Sequence, residues 1–224
     1  MSEGLRERKK RETRQRISDI ATWLFVTKGF DNVTVAEVAR TADVSVNTVF
    51  NYFRTKEDLL FDRQGEVEDL LSRVVRERGP GESALGALHR DFLEALEARH
   101  HRYGFHEGSD AFTRMVSQSP SLNARLREMN EARERALAST LADEAGADPG
   151  DLTPAFVAAQ VSAVLHRLMT HAVERMLAGE SLEAVAPDLR RHAERAFELL
   201  ESGIGDYCVR RQDLLRATSV GEPG

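Results

Sequence analysis

Along most of this 224-residue chain the apolar positions recur at intervals of three and four, which lines them up on one face of a helix. No segment alternates with the period of two that a half-buried strand requires. The pattern predicts an all-α protein. A first helix is expected over about 9–28, with Ile17, Ile20, Ala21, Leu24 and Phe25 on one stripe and Gly29 ending it. Thr34 precedes Glu37 by three positions, the spacing of a capping box, and opens a short helix over Val35–Thr41. Ala42-Asp43-Val44 reads as a tight turn, Ser45 starts a second short helix ending near Tyr52, and Thr55 to Asp58 opens a long helix reaching about Arg78.

The same grammar continues beyond the break at GPGES. A helix over about 83–100 buries Leu85, Leu88, Phe92, Leu93 and Leu96, and the irregular link RYGFHEGSD follows. A helix over about 109–117 carries Phe112, Met115 and Val116. After Pro120 a long helix has Leu122, Leu126, Met129, Leu137 and Leu141 as its stripe, and the turn-rich AGADPGDLTP ends it. Two final helices are expected over about 154–178 and 187–200, giving about nine in all. In the first of these, Val157, Val161, Val164, Leu165 and Leu168 form a stripe, while Phe156, Ala159, Met169, Val173 and Met176 carry apolar character round the cylinder. Such a helix is covered from two sides. Its own core supplies one cover, and the last two helices of a second copy would supply the other in a four-helix homodimer interface.

Two short helices joined by a three-residue turn and braced by a preceding helix make a helix-turn-helix. Val49 and Phe53 lie four apart and point inward with Val38 and Val44. Ser45, Val46, Asn47, Thr48, Asn51 and Tyr52 are left facing outward, hydrogen-bonding and methyl-bearing types suited to base edges and phosphates.

Charge sharpens that picture. Residues 1–56 hold eleven Lys and Arg against seven Asp and Glu, although the whole chain has a net charge of −6. A basic first quarter on an acidic body points to a local polyanion contact. No apolar run is long enough for a membrane span, and the basic N-terminus lacks the apolar stretch of a secretory signal. The single cysteine, Cys208, rules out an internal disulfide and fits a reducing cytoplasm.

The run T34-V35-x-x-V38-A39-x-x-A42-D43-V44-S45-x-x-T48-V49-F50-x-Y52-F53-x-x-K56-E57-x-L59 resembles the DNA-binding domain of the TetR family of bacterial regulators, over about residues 13–60. The resemblance implies a DNA-binding domain over 1–56, a helical effector-binding and dimerisation domain over 57–205 and a flexible tail over 206–224. It also implies roles. Thr34 caps its helix and bonds a phosphate, as do Tyr52 and Lys56. Ser45, Val46, Asn47 and Thr48 read bases or neighbouring phosphates. Val46 and Phe50 pack on thymine methyls, Asn47 pairs with an adenine edge, and Arg6 to Arg16 add backbone or minor-groove contacts. Two residues depart from the family pattern: Asp43 stands where glycine is usual, and Phe50 where tyrosine is usual. Asp tolerates a left-handed turn, whereas Phe50 removes a hydroxyl.

The implied function is a homodimeric repressor released from a pseudo-palindromic operator by a small molecule. A ligand-binding protein with an idle helix-turn-helix, or an activator on the same fold, remains open. His89 and His166 read as core histidines satisfied by neighbours. Alternatively they are polar anchors of an effector pocket lined by Phe92, Leu96, Phe112, Met115, Met129 and Met169. There is no Gly-rich phosphate loop, nucleophile elbow or metal-ligand pair at helical spacing, and His100, His101 and His106 have no completing ligand. No catalysis, cofactor or metal is expected.

Overall fold

The computed structural model describes residues 4–62, 69–100, 103, 109–205 and 207–208. Among these are ten helices and no strand: α1 (Leu5–Lys28), α2 (Val35–Thr41), α3 (Val46–Tyr52), α4 (Lys56–Phe61), α5 (Leu70–Arg76), α6 (Ala84–Glu97), α7 (Ser109–Gln118), α8 (Pro120–Ala145), α9 (Thr153–Leu177) and α10 (Leu182–Ile204). The tenth arises because the helix expected over about 56–78 is interrupted. Asp69, a residue type that favours helix starts over helix interiors, stands at φ −100°, ψ 7° directly before α5. The last helix also starts five residues earlier than its proline suggested. Ser181 accepts the Ala184 N–H at 3.2 Å and caps α10, so Pro187 lies inside the helix. None of the described helices is long and apolar enough to cross a membrane.

Short helices need their ends satisfied, because each end leaves four backbone groups without intrahelical partners. Thr34 Oγ1 accepts the Glu37 N–H at 3.1 Å, Ser45 Oγ the Thr48 N–H at 3.0 Å and Thr55 Oγ1 the Asp58 N–H at 3.1 Å. The capping box expected at Thr34–Glu37 forms only in half, since the Glu37 carboxylate turns to Lys28 Nζ at 2.5 Å. The complete box is at Thr55–Asp58, where Asp58 Oδ2 also accepts the Thr55 N–H at 3.0 Å.

Two apolar cores result. The first gathers Ile17, Leu24, Phe25, Phe30, Val38, Val49, Phe53 and Leu59 from α1–α4, and it also takes Val116, Leu122 and Met129 from α7 and α8. The second joins α5, α6, α9, α10 and the C-terminal half of α8 around Leu88, Phe92, Leu137, Leu141, Val161, Leu189 and Phe197. At 26 residues α8 is about 39 Å long, and it is the element that enters both cores. Of the expected tail, Tyr207 and Cys208 pack on the second core. There the buried Arg78 guanidinium donates to the Cys208 carbonyl at 3.0 Å and to Glu144 at 2.7 Å. Asp206 and residues 209–224 lie outside the described residues, as do His101 and His106.

Candidate nucleic-acid interface

The turn between α2 and α3 decides how the second helix is presented. Asp43 takes a left-handed φ of 54°, a conformation that Asp adopts more readily than most residues. Its N–H donates to the Arg40 carbonyl at 3.3 Å, and the Val44 N–H reaches the Ala39 carbonyl at 3.0 Å. The substitution for glycine is accommodated. Val49 and Phe53 then anchor the inner face of α3, at 1% and 2% exposure, while Val46 and Phe50 on the outer face stand 38% and 49% exposed.

The polar residues of that outer face are not equivalent. Ser45 Oγ and Thr48 Oγ1 lie 2.8 Å apart, and Ser45 already accepts a backbone N–H, so both hydroxyls are partly committed to the helix start. Asn47 and Asn51 are exposed, and Tyr52 is half-buried with its ring 6.4 Å from that of Phe53. Thr34 is exposed at its cap. Lys56 is less open: its ammonium sits 4.2 Å from the centre of the Phe30 ring, and burial pushes its pKa down against the pull of Asp31 and Glu57. In the basic first helix, Arg14 is engaged with Asp62 at 2.7 Å and lies over the Phe53 ring. Arg40 and Arg54, exposed at the end of α2 and directly after α3, flank the surface. Motif spacing does not single them out, although their charge and position beside the turn do.

Residues 17–62 match the family model described as bacterial regulatory proteins, tetR family, and residues 85–205 match the MftR C-terminal domain. The chain is 31% identical over 167 residues to the HTH-type transcriptional regulator TcmR of Streptomyces glaucescens, covering 72% of this chain and 73% of that one. This chain belongs to the tetR family of regulators. It is also 39% identical over 97 residues to the uncharacterized HTH-type transcriptional regulator YvkB of Bacillus subtilis, covering 41% of this chain and 48% of that one. Its fold is that of NalD, the secondary repressor of the MexAB-OprM efflux pump in Pseudomonas aeruginosa, with a TM-score of 0.52 at 19% identity over 84% of this chain and 97% of that one. The SmeT–triclosan complex superposes with a TM-score of 0.53 at 15% identity, over 95% of this chain and 99% of that one. As a tetR-family regulator the protein is a DNA-binding transcription factor.

Elsewhere in this regulator the eight residues expected around an effector are divided. Phe92 and Leu96 are buried in the second core with Met169 packed against it, whereas Met129 is buried in the first with Phe112 and Met115 alongside. His89 stacks face to face on Phe197, with ring centres 4.4 Å apart, and its buried Nε2 has no hydrogen-bond partner. His89 is thus held by stacking and not by a polar neighbour. His166 is exposed, which removes it from the core. The core reading of His166 is not met, because α9 turns that position outward.

On the outer side of α9 and α10, Phe156 and Leu199 are about 60% exposed among charged and polar residues such as Arg167, Arg191, Arg195 and Glu198. A groove of about 330 Å³ on these helices is lined by Val164, Arg167, Leu168, His171, His192 and Ala196. The expectation of no metal-ligand pair at helical spacing is corrected here. Asp188 and His192 are four apart on α10, and the antiparallel packing of α9 brings His171 beside them.

Proposed function

We propose that this regulator is a homodimeric repressor, released from a pseudo-palindromic operator when a small molecule enters its helical body. The observation that carries the DNA-binding assignment is the outer face of α3, where Asn47, Asn51, Val46 and Phe50 stand exposed beside the cations Arg40 and Arg54. Asn47 reads an adenine edge, Val46 and Phe50 contact thymine methyls, and Ser45, Thr48, Thr34, Tyr52 and Lys56 hold neighbouring phosphates. Lys56 must leave the Phe30 ring to do so, a swing that its long flexible stem allows. The head comprises residues 1–56, and the body of 57–205 pairs with its copy through α9 and α10, where Phe156 and Leu199 stand exposed. Two recognition helices then meet successive major grooves about 34–36 Å apart. The setting is cytoplasmic, and no catalytic step is assigned.

Release follows two routes from body to head. One is the chain itself, through α4. The other is α8, whose Arg125 pairs with Asp58 at 2.9 Å, the same carboxylate that completes the capping box of α4. A coupling of about 1–3 kcal/mol between ligand and operator corresponds to about a 5–150-fold loss of affinity.

The test is a band-shift titration on duplexes selected from a random pool. The parent chain selects a palindrome and binds it less tightly as salt rises. N47A relaxes the preference at one base of each half-site, by about 1–3 kcal/mol, and K56A weakens binding across all sequences. Variants that bind as the parent does refute the assigned surface. A parent chain with no salt-dependent duplex binding leaves the helix-turn-helix as a mere scaffold.

A further inference from the structure

His171 on α9 and Asp188 and His192 on α10 place their ligand atoms within 4.8 Å of one another. His171 Nε2 is 3.6 Å from Asp188 Oδ2, and His192 Nε2 is 3.5 Å from the same oxygen. Neither spacing is a hydrogen bond, and the buried His171 Nε2 has no hydrogen-bond partner. Both are close to the edge of a zinc tetrahedron, which is about 3.3–3.4 Å for bonds of about 2.0–2.1 Å. The two imidazoles meet edge to face with centres 5.1 Å apart, so a modest ring rotation closes the third edge.

We propose that His171, Asp188 and His192 form a binding site for a divalent transition metal, zinc being the best fit to a donor set of two imidazoles and one carboxylate. Three protein ligands leave one position for water or another donor. The site pins α9 to α10 across the groove, so occupancy stiffens the pair of helices that carry the exposed Phe156 and Leu199.

The competing cations are accounted for by their other partners. Arg175 Nη1 donates to Asp188 Oδ2 at 2.7 Å, but its Nε and Nη2 hold Glu180 in a two-pronged pair. It therefore keeps a carboxylate when Asp188 turns to a metal. Arg191 pairs with Oδ1, the other oxygen, and is largely exposed, so it can stay. Each histidine would bind the metal through its neutral imidazole.

The experiment uses the full, untagged chain stripped with a chelator and titrated with zinc chloride by calorimetry, with cobalt(II) as a spectroscopic stand-in. The parent chain takes up one metal per subunit, gives the intense visible absorption of tetrahedral cobalt and melts at a higher temperature with zinc. H192A replaces an exposed side chain, so its fold survives, which far-UV circular dichroism checks. It loses about ten-fold or more in affinity, as even supporting residues of a metal site are worth that much. H171A/H192A loses the site and the melting shift together. A parent chain that binds no zinc overturns the proposal. So does zinc binding undiminished in the double variant, which would assign the metal to other histidines or Cys208.

Discussion

The two cores of this regulator are built on different principles. The head, α1–α4, uses helices of six and seven residues after α1, each fixed by a particular side chain: Thr34, Ser45 and the Thr55–Asp58 box. Most of the body is formed by four helices of 14 to 26 residues, long enough for burial of a stripe to dominate, beside the shorter α5 and α7. Ends decide a short helix, because it makes few internal hydrogen bonds and leaves eight groups to satisfy. Stripes decide a long one, and many apolar residues serve equally well in a stripe. The head is therefore written in residues that cannot be exchanged, and the body in residues that can.

That contrast can be broken first at the point where the head depends on packing. Phe53→Ala removes a fully buried ring that carries the Arg14 guanidinium on its face. It is expected to cost about 3–5 kcal/mol and to abolish operator binding, read by urea melts and band shifts. The body helices should keep most of the circular dichroism signal. A smaller loss follows from Thr55→Ala, which removes the hydroxyl that accepts the Asp58 N–H and leaves the other half of the capping box, Thr55 N–H to Asp58, in place. The expectation is about 1–2 kcal/mol and faster hydrogen exchange at the amides of α4. An equal loss from Ser83→Ala, at the cap of the longer α6, would erase the distinction drawn between the regions.

Arg125→Ala tests the bridge between them. Removing this partly exposed partner of Asp58 should cost about 1 kcal/mol or less. Exchange should quicken at the start of α4 while the amides of α9 are unchanged. The least effect is a pH dependence confined to the body. Burial against Phe197 depresses the His89 pKa, with Glu194, Glu201 and Glu198 opposing it. The unfolded chain then binds more protons than the folded one below about pH 6.5, so His89 costs stability progressively as pH falls through that range. His89→Phe keeps the stack and removes the titration. Its melting temperature should therefore fall less than that of the parent between pH 7 and 5.

This difference in construction also governs what the sequence could disclose. Thr34, Asp43, Ser45, Val49 and Phe53 are separated by fixed short intervals, with one helical turn from Ser45 to Val49 and another to Phe53, so the helix-turn-helix was legible as spacing. The half-formed box at Glu37 was not, because its outcome depends on Lys28, nine residues away across a turn. In the body, periodicity identified the helices but not their company. The hydrophobic stripe of α8 does not reveal that Met129 and Leu137 belong to different cores. His171 and Asp188 are brought together by the antiparallel return of α10, a relation that no local pattern encodes.

The passage of α8 through both cores bears on anyone exchanging parts between regulators of this kind. A head cut out as one contiguous stretch of sequence would leave behind Val116, Leu122 and Met129, all at most 5% exposed. Those three side chains are part of the core that α1–α4 share, and their positions in the recipient would have to be matched for shape. A transplantable head is thus a discontinuous object, two stretches of chain separated by about fifty residues, and compatibility between donor and recipient is decided along α7 and the first half of α8.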